Sequence, residues 1–200
     1  MPEDQRSFDY DKFVSLLAFA DSQPIARAAL LSGGKPAIAA LIRGMAHPNA
    51  KMRVWCTALL DHMETERDAS CIQAVLERLD DDVPRVRSMA VHALSCQICH
   101  PALPDVDIVA PLLKLALNDP SIRVRRAAAH HLALLPHDNR VVEAFRDCVE
   151  QEPDEFLRKG LMQALSKHSS PDDTSACASV IGLGKRVRHH DFEVGGNESR

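Results

Sequence analysis

The sequence predicts an all-α fold, an α-solenoid of about five stacked antiparallel helix pairs. Three observations predict it. The composition is 46% apolar with only 4% aromatic residues, one Trp and one Tyr. Alanine and leucine dominate instead, which favours helix, whereas sheets draw on aromatic and β-branched residues. Apolar residues recur at offsets −1, +3 and +7 around a repeated arginine, one stripe on a helix surface. That unit, turn included, returns along the chain, and repetition at this period signals a stacked array.

Four segments align without gaps: HPNAKMRVWCTALL (47–60), DDVPRVRSMAVHAL (81–94), DPSIRVRRAAAHHL (119–132) and EPDEFLRKGLMQAL (152–165). Each opens on a turn and continues as a helix with an apolar-Arg pair: Met52-Arg53, Val86-Arg87, Val124-Arg125 and Leu157-Arg158. Leu60, Leu94, Leu132 and Leu165 follow seven places after the Arg. A first helix precedes each segment, at 38–45, 72–79, 109–116 and 141–148. A weaker copy occupies 13–34, with Arg27 in the arginine column and Gly33-Gly34 cutting its second helix short; Lys35-Pro36 then reads as a helix start. The arginines are 26, 34, 38 and 33 residues apart. Two helices of this size cannot bury their stripes alone, so they stack.

The turn D-P, the following V-R and the A-x-x-x-L run resemble HEAT repeats, especially the short bacterial kind also found in phycobilisome lyases. The resemblance implies a HEAT/armadillo-like superhelix over residues 1–168, with repeats at about 8–34, 35–64, 68–99, 105–135 and 138–168. Residues 169–182 are expected to give a capping helix and 183–200 a mobile tail.

In proteins similar to this one, the repeated Arg pairs with the repeated turn acid and links neighbouring repeats. The resemblance thus implies a ladder of Arg27, Arg53, Arg87, Arg125 and Arg158 with Asp21, Asp81, Asp119 and Glu152, each acid six residues before its Arg. The second repeat departs, with His47 at that place. An Arg at a helix N-terminus opposes the macrodipole, so a specific partner is expected to hold it. Lys51, Arg85 and Arg123 sit two residues before the column, about 200° around the helix. Stacking brings them into a basic row that suits an acidic partner or a phosphate backbone, or forms a solvated turn balanced by Asp80, Asp81 and Asp82.

The non-core face of the second helices, which lines the concave side in this family, offers a partner-binding surface: Ser88, His92, Arg126, His130, Lys159 and Gln163. Asp61, His62, Ser95 and Cys96 continue it. His92 and His130 hold equivalent places in adjacent repeats and can share a ligand or serve as ordinary polar surface.

Residues 96–100, CQICH, match the C-x-x-C-H pattern of covalent haem attachment. The register argues against it. Leu94 is the repeated Leu, so Ser95 to Gln97 finish a helix and Cys99-His100-Pro101 enters a loop. Ile98 or Cys99 can plug the end of the core. Zinc needs four ligands, and Cys96, Cys99 and His100 supply three at crowded spacing. The expectation is no metal and no cofactor, with cysteines that remain open to oxidation.

The acidic, polar N-terminus lacks the features of a secretory signal, and no apolar run is long enough to span a membrane. The six cysteines are therefore expected as thiols in the cytoplasm. A net charge of −4 argues against nucleic acid. No glycine-rich phosphate loop, G-x-S-x-G or H-E-x-x-H occurs, which leans away from an enzyme. A non-catalytic scaffold binding another protein is the expected function. Handling of a prosthetic group in the manner of phycobilin lyases, and nucleic-acid binding along the groove, are the alternatives. Partner identity and oligomeric state are left open.

Overall fold

The computed structural model describes residues 8–63, 68–99 and 102–169. His100, nearly all of the expected cap at 169–182 and the tail at 183–200 lie outside them. The described residues form ten α-helices and one short 3-10 turn, with no strand. The helices are α1 (Tyr10–Leu16), α2 (Gln23–Ser32), α3 (Gly34–Gly44), α4 (Ala50–Asp61), α5 (Ala69–Glu77), α6 (Pro84–Ser95), α7 (Val109–Asn118), α8 (Ile122–Leu132), α9 (Asn139–Phe145) and α10 (Glu155–His168).

They pack as five successive hairpins, α1 with α2 through α9 with α10. Helices α4, α6, α8 and α10 each pack on the next, while α1, α3 and α5 adjoin in sequence on the other layer, as do α7 and α9. The sequence stripe becomes the core. Met52, Val86, Val124 and Leu157 are buried, as are Cys56, Ala90, Ala128 and Leu161. Leu60, Leu94 and Leu132 are buried too, whereas Leu165 is half-buried.

Short polar side chains start the helices. Asp9, Asn49, Asp68, Asp138 and Asp154 each accept a backbone N–H from the first turn, at 2.8–3.1 Å, which satisfies otherwise orphaned donors. The hairpin break at 33–34 needs glycine: Gly34 has φ +54°, a region that L side chains rarely adopt. Helix α3 therefore begins at Gly34, beside the helix start expected at Lys35-Pro36. Gly44 permits the close approach of α3 to its neighbours. A Cβ there would stand 2.4 Å from Cys56 Sγ and 2.9 Å from Val14 Cγ1.

His168 ties the last repeat to the fourth. Its Nδ1 accepts the Asp138 N–H at 2.8 Å and its Nε2 donates to the Leu132 carbonyl at 2.9 Å. Fully buried, it satisfies two backbone groups at once.

Candidate functional site: the second-helix face and the Asp61–His92–Cys99 cluster

The turn acids and column arginines meet across repeats. Arg53 donates from Nε and Nη2 to both oxygens of Asp81, each at 2.7 Å, and from Nη2 to Asp82 at 2.5 Å. Arg87 donates likewise to Asp119 at 2.7 and 2.8 Å. Each carboxylate also accepts an amide of its own turn, Val83 N–H on Asp81 and Ser121 N–H on Asp119. The arginine's remaining nitrogen braces its own turn through the carbonyl six residues back: His47, Asp81 and Asp119 for Arg53, Arg87 and Arg125. Within a repeat the contact is therefore to a carbonyl. The carboxylate pairs with the arginine of the preceding repeat.

This explains both ends of the ladder. The carboxylate expected for Arg27 would stand at residue 47, which is His. Arg27 lies instead over the Trp55 ring, 5.1 Å from its centroid, a cation–π contact. Glu152 spends its longer side chain on the Asp154 N–H at 3.0 Å and makes no bond to Arg125. The rung moves one residue along: Arg126 donates to both oxygens of Asp154, from Nε at 2.9 Å and also from Nη2. No described repeat follows Arg158, and Asp21 is exposed.

The expected binding face divides accordingly. His130, Lys159 and Gln163 are exposed. Arg126 is tied to Asp154, and Lys159 donates to Glu155 at 2.6 Å. Ser88 Oγ is buried, with no hydrogen bond among the described residues. In the basic row Lys51 and Arg123 are exposed, while Arg85 is half-buried with its Nε inside. Of the balancing acids, Asp80 accepts from Lys114 and Asp82 from Arg53. Phe156 occupies the row's place in the fifth repeat and is 68% exposed. Arg126 lies 5.0 Å and Lys159 5.9 Å from its ring centroid.

His92 is half-buried and His130 exposed. The His131 ring contacts both, 5.2 Å from His92 and 5.5 Å from His130, each edge-on. Burial, then the neighbouring imidazoles, push His131 down to about 3, so it stays neutral at ordinary pH. His92 turns the other way. Its Nε2 lies 3.3 Å from Asp61 Oδ2 and 3.7 Å from Cys99 Sγ. Burial works to raise the Asp61 carboxyl, but its hydrogen bond to His92 and the charge there hold it below the usual value.

The backbone explains this gathering. Helix α6 ends at Ser95, and Cys96 is an extended C-cap (φ −77°, ψ 99°). The chain then turns back, bringing Cys99 to His92 and leaving Ile98 71% exposed. The expectations that the helix runs to Gln97 and that Ile98 or Cys99 plugs the core are corrected. Cys99 faces a polar cluster. Burial, then the Asp61 charge, push its thiol up, the opposite of a reactive thiolate.

An array of two-helix units with a recurring turn acid and column arginine defines a class of protein, the α-helical solenoid. Residues 109–186 match the HEAT repeats family, a span that starts at α7 and runs beyond the described residues. The fold is similar to the crystal structure of an engineered protein, a Northeast Structural Genomics Consortium target, with a TM-score of 0.51 and 20% identity over 79% of this chain and 78% of that one. No curated protein matches the chain. The matched span and the fold support HEAT-type repeats in this chain, and HEAT repeats generally mediate protein interactions as scaffolds. Among the described residues, no helix is long and apolar enough to cross a membrane.

Proposed function

We propose that this chain is a non-catalytic scaffold that holds a segment of another protein against the second-helix face of its last three repeats and the adjoining turn edge. The observation that carries the reading is Phe156, exposed at 68% and bracketed by the side chains of Arg126 and Lys159. Exposed polar groups, His130 and Gln163, lie on the same helices α8 and α10. An aromatic anchor beside arginine and within a polar rim has the composition of an interface centre. A cytoplasmic partner is consistent with the thiol-rich sequence.

Affinity capture from native lysate tests it, comparing wild type with a Phe156→Ser, Lys159→Glu variant of equal helicity. A protein recovered by wild type and lost with the variant supports the scaffold and locates its surface. Equal recovery by both refutes this face. Binding of duplex DNA that falls steeply with salt would replace the reading with nucleic-acid recognition.

A further inference from the structure

We infer that Asp61, His92, Cys96 and Cys99 form a binding site for one divalent, thiophilic metal ion of the zinc class. The ligands would be a carboxylate oxygen, His92 Nε2 and two thiolates. The inference stands apart from the scaffold reading.

The donor set comes first. Carboxylate, imidazole and paired thiols are the ligands that zinc takes in tetrahedral sites. The motif CQICH alone offers three crowded donors. Folding adds His92, four residues before Cys96 on α6, and Asp61, from the last turn of α4 in the preceding repeat. His100 is not needed to reach four.

The spacing agrees. Ligand bonds of about 2.0–2.3 Å at tetrahedral angles put nitrogen and oxygen donors roughly 3.3 Å apart and nitrogen and sulfur donors roughly 3.6 Å apart. The observed separations are 3.3 Å for His92 Nε2 to Asp61 Oδ2 and 3.7 Å for His92 Nε2 to Cys99 Sγ. The donor atoms of His92, Cys96 and Cys99 all lie within 4.8 Å of one another, as do those of Asp61, His62 and Cys99. Both thiols belong to the half-buried turn after α6, so side-chain rotation closes the remaining edges. His62 is exposed and stays outside the proposed four.

Without metal, burial first and then the Asp61 carboxylate disfavour a thiolate at Cys99. A cation would offset both, because its charge favours the thiolate, Asp61 becomes a ligand and the coordinating thiols lose their protons to solvent. Bound metal would clip α4 to the end of α6 and fix the turn where the repeat spacing reaches 38 residues.

The test uses the full chain, reduced and stripped with chelator, titrated with Co(II) and then Zn(II). One equivalent of Co(II) is expected to give the intense visible absorption of a tetrahedral complex and a thiolate-to-metal charge-transfer band, both bleached by Zn(II). Cys96→Ser and Cys99→Ser are each expected to weaken Zn(II) binding by more than about 100-fold, beyond the effect of losing an outer-sphere partner. Asp61→Asn and His92→Ala should shift the Co(II) spectrum. Cys148→Ser, outside the cluster, should leave it unchanged. The two serine variants replace half-buried thiols, and circular dichroism checks that they keep wild-type helicity. No stoichiometric binding, a spectrum without the charge-transfer band, binding retained in the Cys96→Ser, Cys99→Ser double variant, or binding lost in Cys148→Ser would each overturn the site.

Discussion

Removing the carboxylate of Asp119 should destabilise the array far more than removing any surface ion pair. Asp119 is 5% exposed and Arg87 8% exposed. The two share a bidentate pair at 2.7 and 2.8 Å, and Asp119 also holds the Ser121 N–H at 2.8 Å. Asp119→Ala leaves a guanidinium buried with only the Asp81 and Asp82 carbonyls as partners. Breaking a buried pair from one side costs about 3–5 kcal/mol, and the orphaned turn amide adds about 1 kcal/mol. A loss of about 5 kcal/mol corresponds to a fall in Tm of roughly 10–20 °C for a chain of this size. Urea titration followed by circular dichroism measures it, and hydrogen exchange should assign the loss to α6 and α8. A joint Arg87→Leu, Asp119→Leu variant should recover most of the loss, since apolar replacement of a buried pair is often neutral. Lys114→Ala, which breaks an exposed pair with Asp80, should stay within about 0.5 kcal/mol. A loss below about 1 kcal/mol for Asp119→Ala, or a double variant as poor as the sum of its singles, would refute the argument.

Gly44→Ala should destabilise by about 1–3 kcal/mol through overpacking, and adding Cys56→Ala should relieve it, because Cys56 Sγ is the atom struck at 2.4 Å; thermal melts decide. The Arg126 guanidinium first, and then the Leu157 N–H, lower the Asp154 carboxyl to about 2 from an ordinary 3.8. Its stabilisation is therefore complete above pH 3.8 and lost as pH falls toward 2. Arg126→Ala should raise its titration midpoint toward 3.8 without reaching it, and an unmoved midpoint in a carboxyl NMR titration counts against the pair. Glu152→Asp should recreate the turn geometry of Asp81 and Asp119 and bring a carboxylate to Arg125. The cost of Arg125→Ala should then rise by about 1 kcal/mol over its cost in the parent chain, and an unchanged cost would show that side-chain length does not set the register.

The stripe, the five hairpins and the arginine column were legible because each is a periodic property, visible wherever Met52, Val86, Val124 and Leu157 are aligned. Features that depend on one methylene or on register between repeats were not. Glu152 aligns with Asp119, yet its added length sends the fourth rung to Arg126 and Asp154. His92 aligns with His130, yet only the packing of α4 on α6 reveals that it faces Asp61. His131 has no counterpart at its offset that marks it as a ring in contact with two others. Phe156 sits at the same offset as Lys51, Arg85 and Arg123, so alignment alone points to it; a search restricted to cations passes over it. Ile98 reads as core by hydropathy, and its exposure follows from a helix that ends two residues early.

The polar contacts between second helices fall at both ends of an apolar seam, and this placement matters more than their number. Apolar stripes at helical spacing pack almost equally well after a slip of one turn, about 5.4 Å. Between α4 and α6 the Arg53–Asp81 pair holds one end and the Asp61–His92 contact the other. Along α4 the two residues are eight apart, or about 12 Å. A slipped register would break both contacts and bury Arg53, Asp81 and Asp61 without partners, each at several kcal/mol. Between α6 and α8 the Arg87–Asp119 pair is matched at the other end by the ring contact of His92 with His131, a weaker clamp. His92 therefore belongs to both junctions. A metal ion on its Nε2 would fix the ring that meets α8 while strengthening the hold on α4, joining three consecutive repeats through one imidazole.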